Sequence, residues 1–287
     1  ERATGAVRVL ARGVVTEDAH RVAVQQWVCG GRRVVFHDLR GGEWVVVAVD
    51  IETLEERVYA PGRQVGFGHP SGNVVPLYGP HWDPGEHRGL EILDVTTGEI
   101  RKVLTWERVL ERYPEWVARV FGDRPISIFF PILSPDLTRV IFKVATPGTG
   151  IFQTKGDSFR EGLLCYDLVR EEFCWMQEAW HHPAWSADGS AVINVGPTLT
   201  DARTGEGRPL PPFPKYYGSH PSLGPDGRTF VTDAKLERNS DTRWAVIVGD
   251  LKTGAYETVH TFDNSQGAQT WRRNHPHPVF SLDGRRL

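Results

Sequence analysis

HPAWSADGSAVINV (182–195), HPSLGPDGRTFVTD (220–233) and HPVFSLDGRRL (277–287) are copies of one phrase. Each has a short β-prone run, a Ser-x-Asp-Gly turn or a relative of it, and a second β-prone run. PILSPDLTRVIFKV (131–144) is a fourth copy, and QQWVCGGRRVVFHD (25–38) and GHPSGNVVPLY (68–78) are degenerate ones. A second phrase follows most copies: a strand that ends in Asp and then a turn. It reads VVVAVDIETLEERVYA (45–60), LEILDVTTGEIRKVL (90–104), LLCYDLVREEFCWM (163–176), LTDARTGEGRPL (199–210) and VIVGDLKTGAYETVH (246–260). Asp-Gly and Thr-Gly supply the positive-φ positions that tight hairpin turns demand. Each unit therefore reads strand, turn, strand, loop, strand, turn, strand.

Matched turn positions fall at Gly31, Gly72, Leu137, Gly189, Gly227 and Gly284, and their spacing brackets that of a four-stranded propeller blade with insertions. The expectation is an all-β chain, one β-propeller domain over 1–287, with about six recognisable blades of seven. The longest interval holds WERVLERYPEWVARVFG (106–122), whose apolar residues have helical spacing and which Pro114 is placed to break. The chain starts at Glu1 without an initiator and stops just past the last Asp-Gly turn. It is therefore read as a piece of something longer, its last blade cut short.

Composition narrows the partners. Thirty-three Lys and Arg against 36 Asp and Glu leave a net charge of −3, which gives no basic face for nucleic acid. No apolar run approaches the ~20 residues of a membrane helix. The three cysteines, widely spaced and without a Cys-x-x-Cys, are read as reduced thiols. The absence of a visible signal peptide is read as a cytoplasmic location.

Aligning the repeats on Asp188, Asp226 and Asp283 puts His182, His220 and His277 at one position, each six residues before its Asp and each followed by Pro. The earlier units carry Val24, Val65 and Phe130 there, so the imidazole is no general scaffold residue. His275 is two residues from His277, which in an extended strand sets both on one side. Imidazoles are the commonest metal ligands. His220, His275 and His277 could hold a borderline divalent ion such as Mn, Fe, Ni or Zn, with His182 free to transfer protons. Asp and Glu are not evident in the cluster, which argues against a Ca²⁺ cage. Arg272 and Arg273 precede the His pair, and Lys155 and Arg160 sit in an earlier loop; these cations would hold an anionic, carboxylate-bearing ligand. Trp180, Trp185 and Trp271 are candidate stacking surfaces, with Trp185 aligned to the packing residues Leu223 and Phe280.

In NHPHPVFSLDG (274–284), SHPSLGPDG (219–227) and HHPAWSADG (181–189) the chain resembles the oligogalacturonate lyases. These are seven-bladed propellers that cleave uronate oligosaccharides by β-elimination. The resemblance runs over roughly residues 22–287. It implies Mn²⁺ held by His275, His277, His220 and a glutamine, with His182 as base and Arg160 assisting at the uronate. Arg272 stands where the family has its glutamine, and Gln269 is the nearest substitute. The implied substrate is an anionic oligosaccharide. The Ser-x-Asp-Gly repeat alone is shared with TolB-like propellers, and the rival reading is a non-catalytic binding module of that kind. A peptidase propeller is a third, weaker reading, for no Gly-x-Ser-x-Gly is present.

Overall fold

The computed structural model describes residues 5–13, 24–80, 85–148, 158–180, 182–194, 198–211, 220–237, 242–265 and 276–287. Its two compact units are Glu1–Phe173 and Cys174–Leu287. The described residues form five four-stranded antiparallel sheets, each with its strands in chain order.

In the first unit, β1 (Gln26–Val28), β2 (Arg33–Arg40), β3 (Glu43–Asp50) and β4 (Glu56–Tyr59) make the first sheet. The second holds β5 (Gln64–Val65), β6 (Val74–Tyr78), β7 (Leu90–Asp94) and β8 (Ile100–Leu104). The third holds β9 (Ser127–Leu133), β10 (Arg139–Ala145), β11 (Arg160–Asp167) and β12 (Glu172–Gln177), the unit boundary falling within β12. The second unit carries β13 (Ala184–Trp185), β14 (Ala191–Asn194), β15 (Thr198–Asp201) and β16 (Gly207–Pro209). Its last sheet is β17 (Ser222–Leu223), β18 (Thr229–Lys235), β19 (Arg243–Asp250) and β20 (Tyr256–Asp263).

Apolar runs set which strands are central. The run Val45–Val49 of β3 is buried on both faces, as in a sheet covered on two sides. The fourth strands β4, β16 and β20 are mostly exposed, and Tyr256–Asp263 shows only one half-buried residue. First strands converge instead: Phe67, just past β5, exchanges backbone hydrogen bonds of 2.8 Å with Pro131 and Leu133 of β9. One core joins the first two sheets through Val28, Val35, Val46, Val65, Leu77 and Leu93. In the second unit Ile193, Leu210, Leu223, Phe230 and Leu251 pack together.

The turns explain the repeat phrase. In SADGSA the Ser186 and Gly189 N–H groups close the turn onto Ala191 O and Ser186 O (2.8 and 2.9 Å), while Ser186 Oγ donates to Asp188 Oδ1 (2.6 Å). Ser134 with Asp136 and Ser281 with Asp283 repeat this network. In the second phrase, Asp50, Asp94, Asp167, Asp201 and Asp250 each accept from the N–H groups two and three residues on. These hydrogen bonds favour the ionised carboxyl. They hold Asp188 and Asp201 below the ordinary range, and bring Asp50, with help from Arg32, to about 2. A lowered folded pKa gives stability that is present above the unfolded value and is lost as pH falls through the folded one. Melting temperature should therefore drop progressively between about pH 5 and pH 2; a flat profile would contradict the turn assignment.

Four residues on from each of those aspartates the backbone is left-handed. Gly98, Gly205 and Gly254 supply it without strain, whereas Leu54 (φ 62°) and Glu171 (φ 57°) carry a Cβ there. A left-handed non-glycine residue costs roughly 1–2 kcal/mol, more than the ~0.5–1 kcal/mol entropic cost of glycine. Glu171→Gly, at an exposed site, should thus raise stability by up to about 1 kcal/mol in a denaturant titration; a loss would refute this account.

The helical insertion is broken as its sequence foretold. α1 (Trp106–Arg112) and α2 (Pro114–Phe121) meet at Tyr113, which leaves helical geometry (φ −130°, ψ 50°). Proline disfavours helix in the residue before it and suits the first helical position. Val109, Trp116, Val117 and Phe121 are buried, and Arg108 ties α1 to Tyr166 OH (2.9 Å) and Glu171 O (3.0 Å). Trp116 lies over Gly162 of β11, where φ is 76° and an added Cβ would stand 2.6 Å from the indole. Gly162→Ala combines strain with overpacking and should cost about 2–4 kcal/mol by chemical unfolding. A cost near zero would mean that the indole moves aside freely.

Residues 276–287 hold the Ser281–Asp283 turn but no strand, so five sheets are described rather than six or seven. A strand exists only when hydrogen-bonded to a neighbour, and residues 276–280 pair with none among the described residues. Among the described residues no disulfide joins Cys29, Cys165 or Cys174. No helix among the described residues is long and apolar enough to cross a membrane.

Candidate functional site

Within the second unit, three matched histidines come together. His182 and His220 each stand two residues before the first strand of a sheet, β13 and β17. Their rings meet edge-on at 5.0 Å, and the His277 ring stacks on His220 at 3.5 Å with 24° between planes. Trp180 packs edge-on against His182 at 5.2 Å. His182 and His277 are exposed, while the His220 side chain retains 20% exposure. His277 has a left-handed backbone (φ 45°) between Pro276 and Pro278, a strain that costs of order 1–3 kcal/mol and needs firm support.

That support is Asp233 of β18, which is fully buried. Its Oδ2 pairs with His220 Nδ1 (2.8 Å) and accepts the His277 N–H (3.3 Å), while Oδ1 accepts the His220 N–H (3.0 Å). One carboxylate thus fixes two histidine backbones and the orientation of one imidazole. Nδ1 donation to Asp233 puts the lone pair of a neutral His220 ring on Nε2. The expectation that carboxylates are missing from this cluster is overturned by Asp233. The hairpin register held the signal: Ser222 pairs with Val231 and Leu223 with Phe230. Continuing that pairing by two residues brings His220 opposite Asp233.

The same position recurs along the chain. The sixth residue after four of the turn positions is His37 (after Gly31), Tyr78 (after Gly72), Lys143 (after Leu137) and Asp233 (after Gly227); after Gly189 it is Val195. All four are buried, so one backbone address in four of the five sheets carries a buried group able to titrate. Where the second unit sets His220 beside Asp233, the first sets Phe130 beside Lys143, with Nζ 5.6 Å from the ring centroid.

No protein-family model matches the chain, and no curated protein does. Among solved structures, an oligogalacturonate lyase in complex with manganese is similar at 16% identity, covering 93% of this chain and 70% of its own, with a TM-score of 0.60. An oligogalacturonate lyase from Vibrio parahaemolyticus is similar at 17% identity, covering 91% and 71%, with a TM-score of 0.57. TolB from Acinetobacter baumannii gives 14% identity, 85% and 54%, and a TM-score of 0.51; the chain spans about half of that protein's length. The fold is a β-propeller. Five of its blades are described, and both structural groups anticipated from the repeats share it at low identity.

Of the blade residues singled out in the sequence, His182, His220 and His277 are gathered within the second unit. Arg160 belongs to the first unit, at the start of β11. His275, Gln269, Arg272 and Lys155, together with His181, Trp271 and Arg273, lie outside the described residues. An imidazole whose second nitrogen is fixed by a carboxylate is the usual ligand form in metal sites, so the donor chemistry at His220 fits a divalent cation. Among the described residues no three His, Cys, Asp or Glu side chains are grouped to hold one. A complete ligand set would need His275 and Gln269.

Proposed function

We propose that the chain is a metal-dependent lyase that cleaves short uronate oligosaccharides by β-elimination. The observation that carries this reading is the His182–His220–His277 cluster clamped by buried Asp233. The likeness to a lyase in complex with manganese agrees with it. His220 and His277, joined by His275 and Gln269, would hold the cation, Mn²⁺ first. A bound divalent ion supplies Lewis-acid stabilisation of charge developing on a substrate carboxylate.

The protein's own groups do the rest. Exposed His182 would take the weakly acidic proton α to the carboxylate, at C5, as general base. Loss of that proton expels the 4-linked sugar. Trp180 beside His182 offers an apolar face to a sugar ring. Arg272 is assigned to the anionic groups of the substrate.

The test is direct. Purified protein with Mn²⁺ should convert oligogalacturonate into 4,5-unsaturated products that absorb in the ultraviolet, and chelation should stop it. Folded, metal-loaded protein that yields no such product from a panel of uronates would reject the lyase reading and leave a TolB-like binding module.

A further inference from the structure

Between the second and third sheets, wholly inside the first unit, lies a cavity of about 350 Å³. The register pairs Val74 with Asp94 and Ile92 with Arg101, so these four residues share one face of the second sheet. The third sheet supplies Leu133 at the end of β9, Leu137 in the turn that follows, and Leu168 just past β11. Five aliphatic side chains therefore line the hollow, and Asp94, Glu99 and Arg101 are its charged groups.

Turn chemistry does not account for Leu137. Glycine stands at this matched position in every other copy of the turn, and Leu137 is left-handed there, with φ 60°. Glycine would close the same turn (Leu137 N–H to Ser134 O, 2.9 Å) without that strain. Room for the leucyl chain comes from Gly72, where an added Cβ would stand 2.9 Å from Leu137 Cδ1. One turn thus bears strain while its neighbour forgoes a side chain, and together they set a leucine in the cavity wall. Strain of this kind collects at ligand clamps.

The charges define what fits. Asp94 is taken up by its own turn, accepting from Thr96 N–H (2.7 Å), Thr97 N–H (3.0 Å) and Asn73 Nδ2 (2.8 Å). The exposed side chains of Glu99 and Arg101 have no hydrogen bond or ion pair among the described residues. A guanidinium fork takes a carboxylate in two parallel hydrogen bonds, and the Glu99 carboxylate takes an ammonium. Two opposite charges beside an aliphatic hollow match a zwitterion with an apolar tail. A simple fatty acid would meet Asp94 and Glu99 with a like charge. We propose that this cavity binds a free α-amino acid with a branched aliphatic side chain. Its carboxylate sits on Arg101, its ammonium on Glu99 and its side chain against Leu133 and Leu137. The site uses no residue of the proposed lyase centre.

Calorimetric titration of the whole chain with leucine, glycine, leucinamide and N-acetyl-leucine tests this. Leucine should bind saturably, and glycine, which lacks the apolar tail, at least about tenfold more weakly. Leucinamide has lost the carboxylate and N-acetyl-leucine the ammonium, so each should also bind about tenfold more weakly. Arg101→Gln, at an exposed side chain, should weaken leucine about tenfold and leave it no tighter than leucinamide. Leu137→Gly, which gives the turn the residue of its sister copies, should hold the melting temperature and weaken leucine about fivefold. If Leu137→Gly melts lower, Arg101→Gln decides. Absence of saturable leucine binding would overturn the site. So would glycine binding as tightly as leucine, or an Arg101→Gln variant that binds leucine like the unaltered chain. Failure of the lyase reading leaves these outcomes unaffected.

Discussion

Asp233→Ala should melt at a distinctly lower temperature than the unaltered chain. Three N–H donors converge on a carboxylate with no solvent exposure. Removing the carboxylate leaves buried donors unsatisfied at about 1–3 kcal/mol each, which in a chain of this size adds up to a fall on the order of 10 °C. Part of that cost is strain, since His277 loses the acceptor that steadies its left-handed backbone. Asp233→Asn separates the structural role from the chemical one. It keeps the volume and one acceptor but turns an amide N–H toward a donor, so its stability loss should be smaller, about 1–3 kcal/mol. On the lyase proposal its Mn²⁺ affinity should still fall about 10–100-fold, because a carboxylate behind a ligating imidazole sets both the orientation and the basicity of that ring. An Asn variant that binds Mn²⁺ as tightly as the unaltered chain would show that Asp233 serves the backbone alone.

His182→Ala should do the reverse, with little effect on folding and a large one on rate. The side chain is exposed and touches its surroundings through ring edges, at Trp180 and His220. Truncation therefore creates no buried cavity. Loss of a positioned general base costs about 10²–10⁴-fold, so the rate of unsaturated-product formation should fall by that factor with melting temperature nearly unchanged. If His182→Ala turns over substrate at the original rate, the proton is taken elsewhere and the base must be reassigned.

The parts of the molecule legible in the sequence are those whose physics is local. A Ser-x-Asp-Gly turn closes through contacts within a few residues, so its signature survives in the string in the fourth sheet, with a Ser-Pro-Asp-Leu relative in the third and a Gly-Pro-Asp-Gly relative in the fifth. Pro114 stops one helix and starts the next for equally local reasons. The histidines were legible because they sit at a fixed offset from such turns. Asp233 was not, being 13 residues from His220 and joined to it only through a hairpin register. Lys143 hides for another reason: inside the strand RVIFKVA it reads as a solvated charge, and only packing from two sheets reveals that it is buried.

The recurring address on the second strands has an evolutionary implication. The hydrogen bonds that close these turns reach two residues past the turn position, and none of them involves the side chain six residues on. Selection can therefore rewrite that one position in one sheet without renegotiating the turn, adjusting only the neighbouring sheet it meets, as His37 meets Val65. His37, Tyr78, Lys143 and Asp233 are then interchangeable inserts in a common socket, and reactivity can be redistributed around such a protein one substitution at a time.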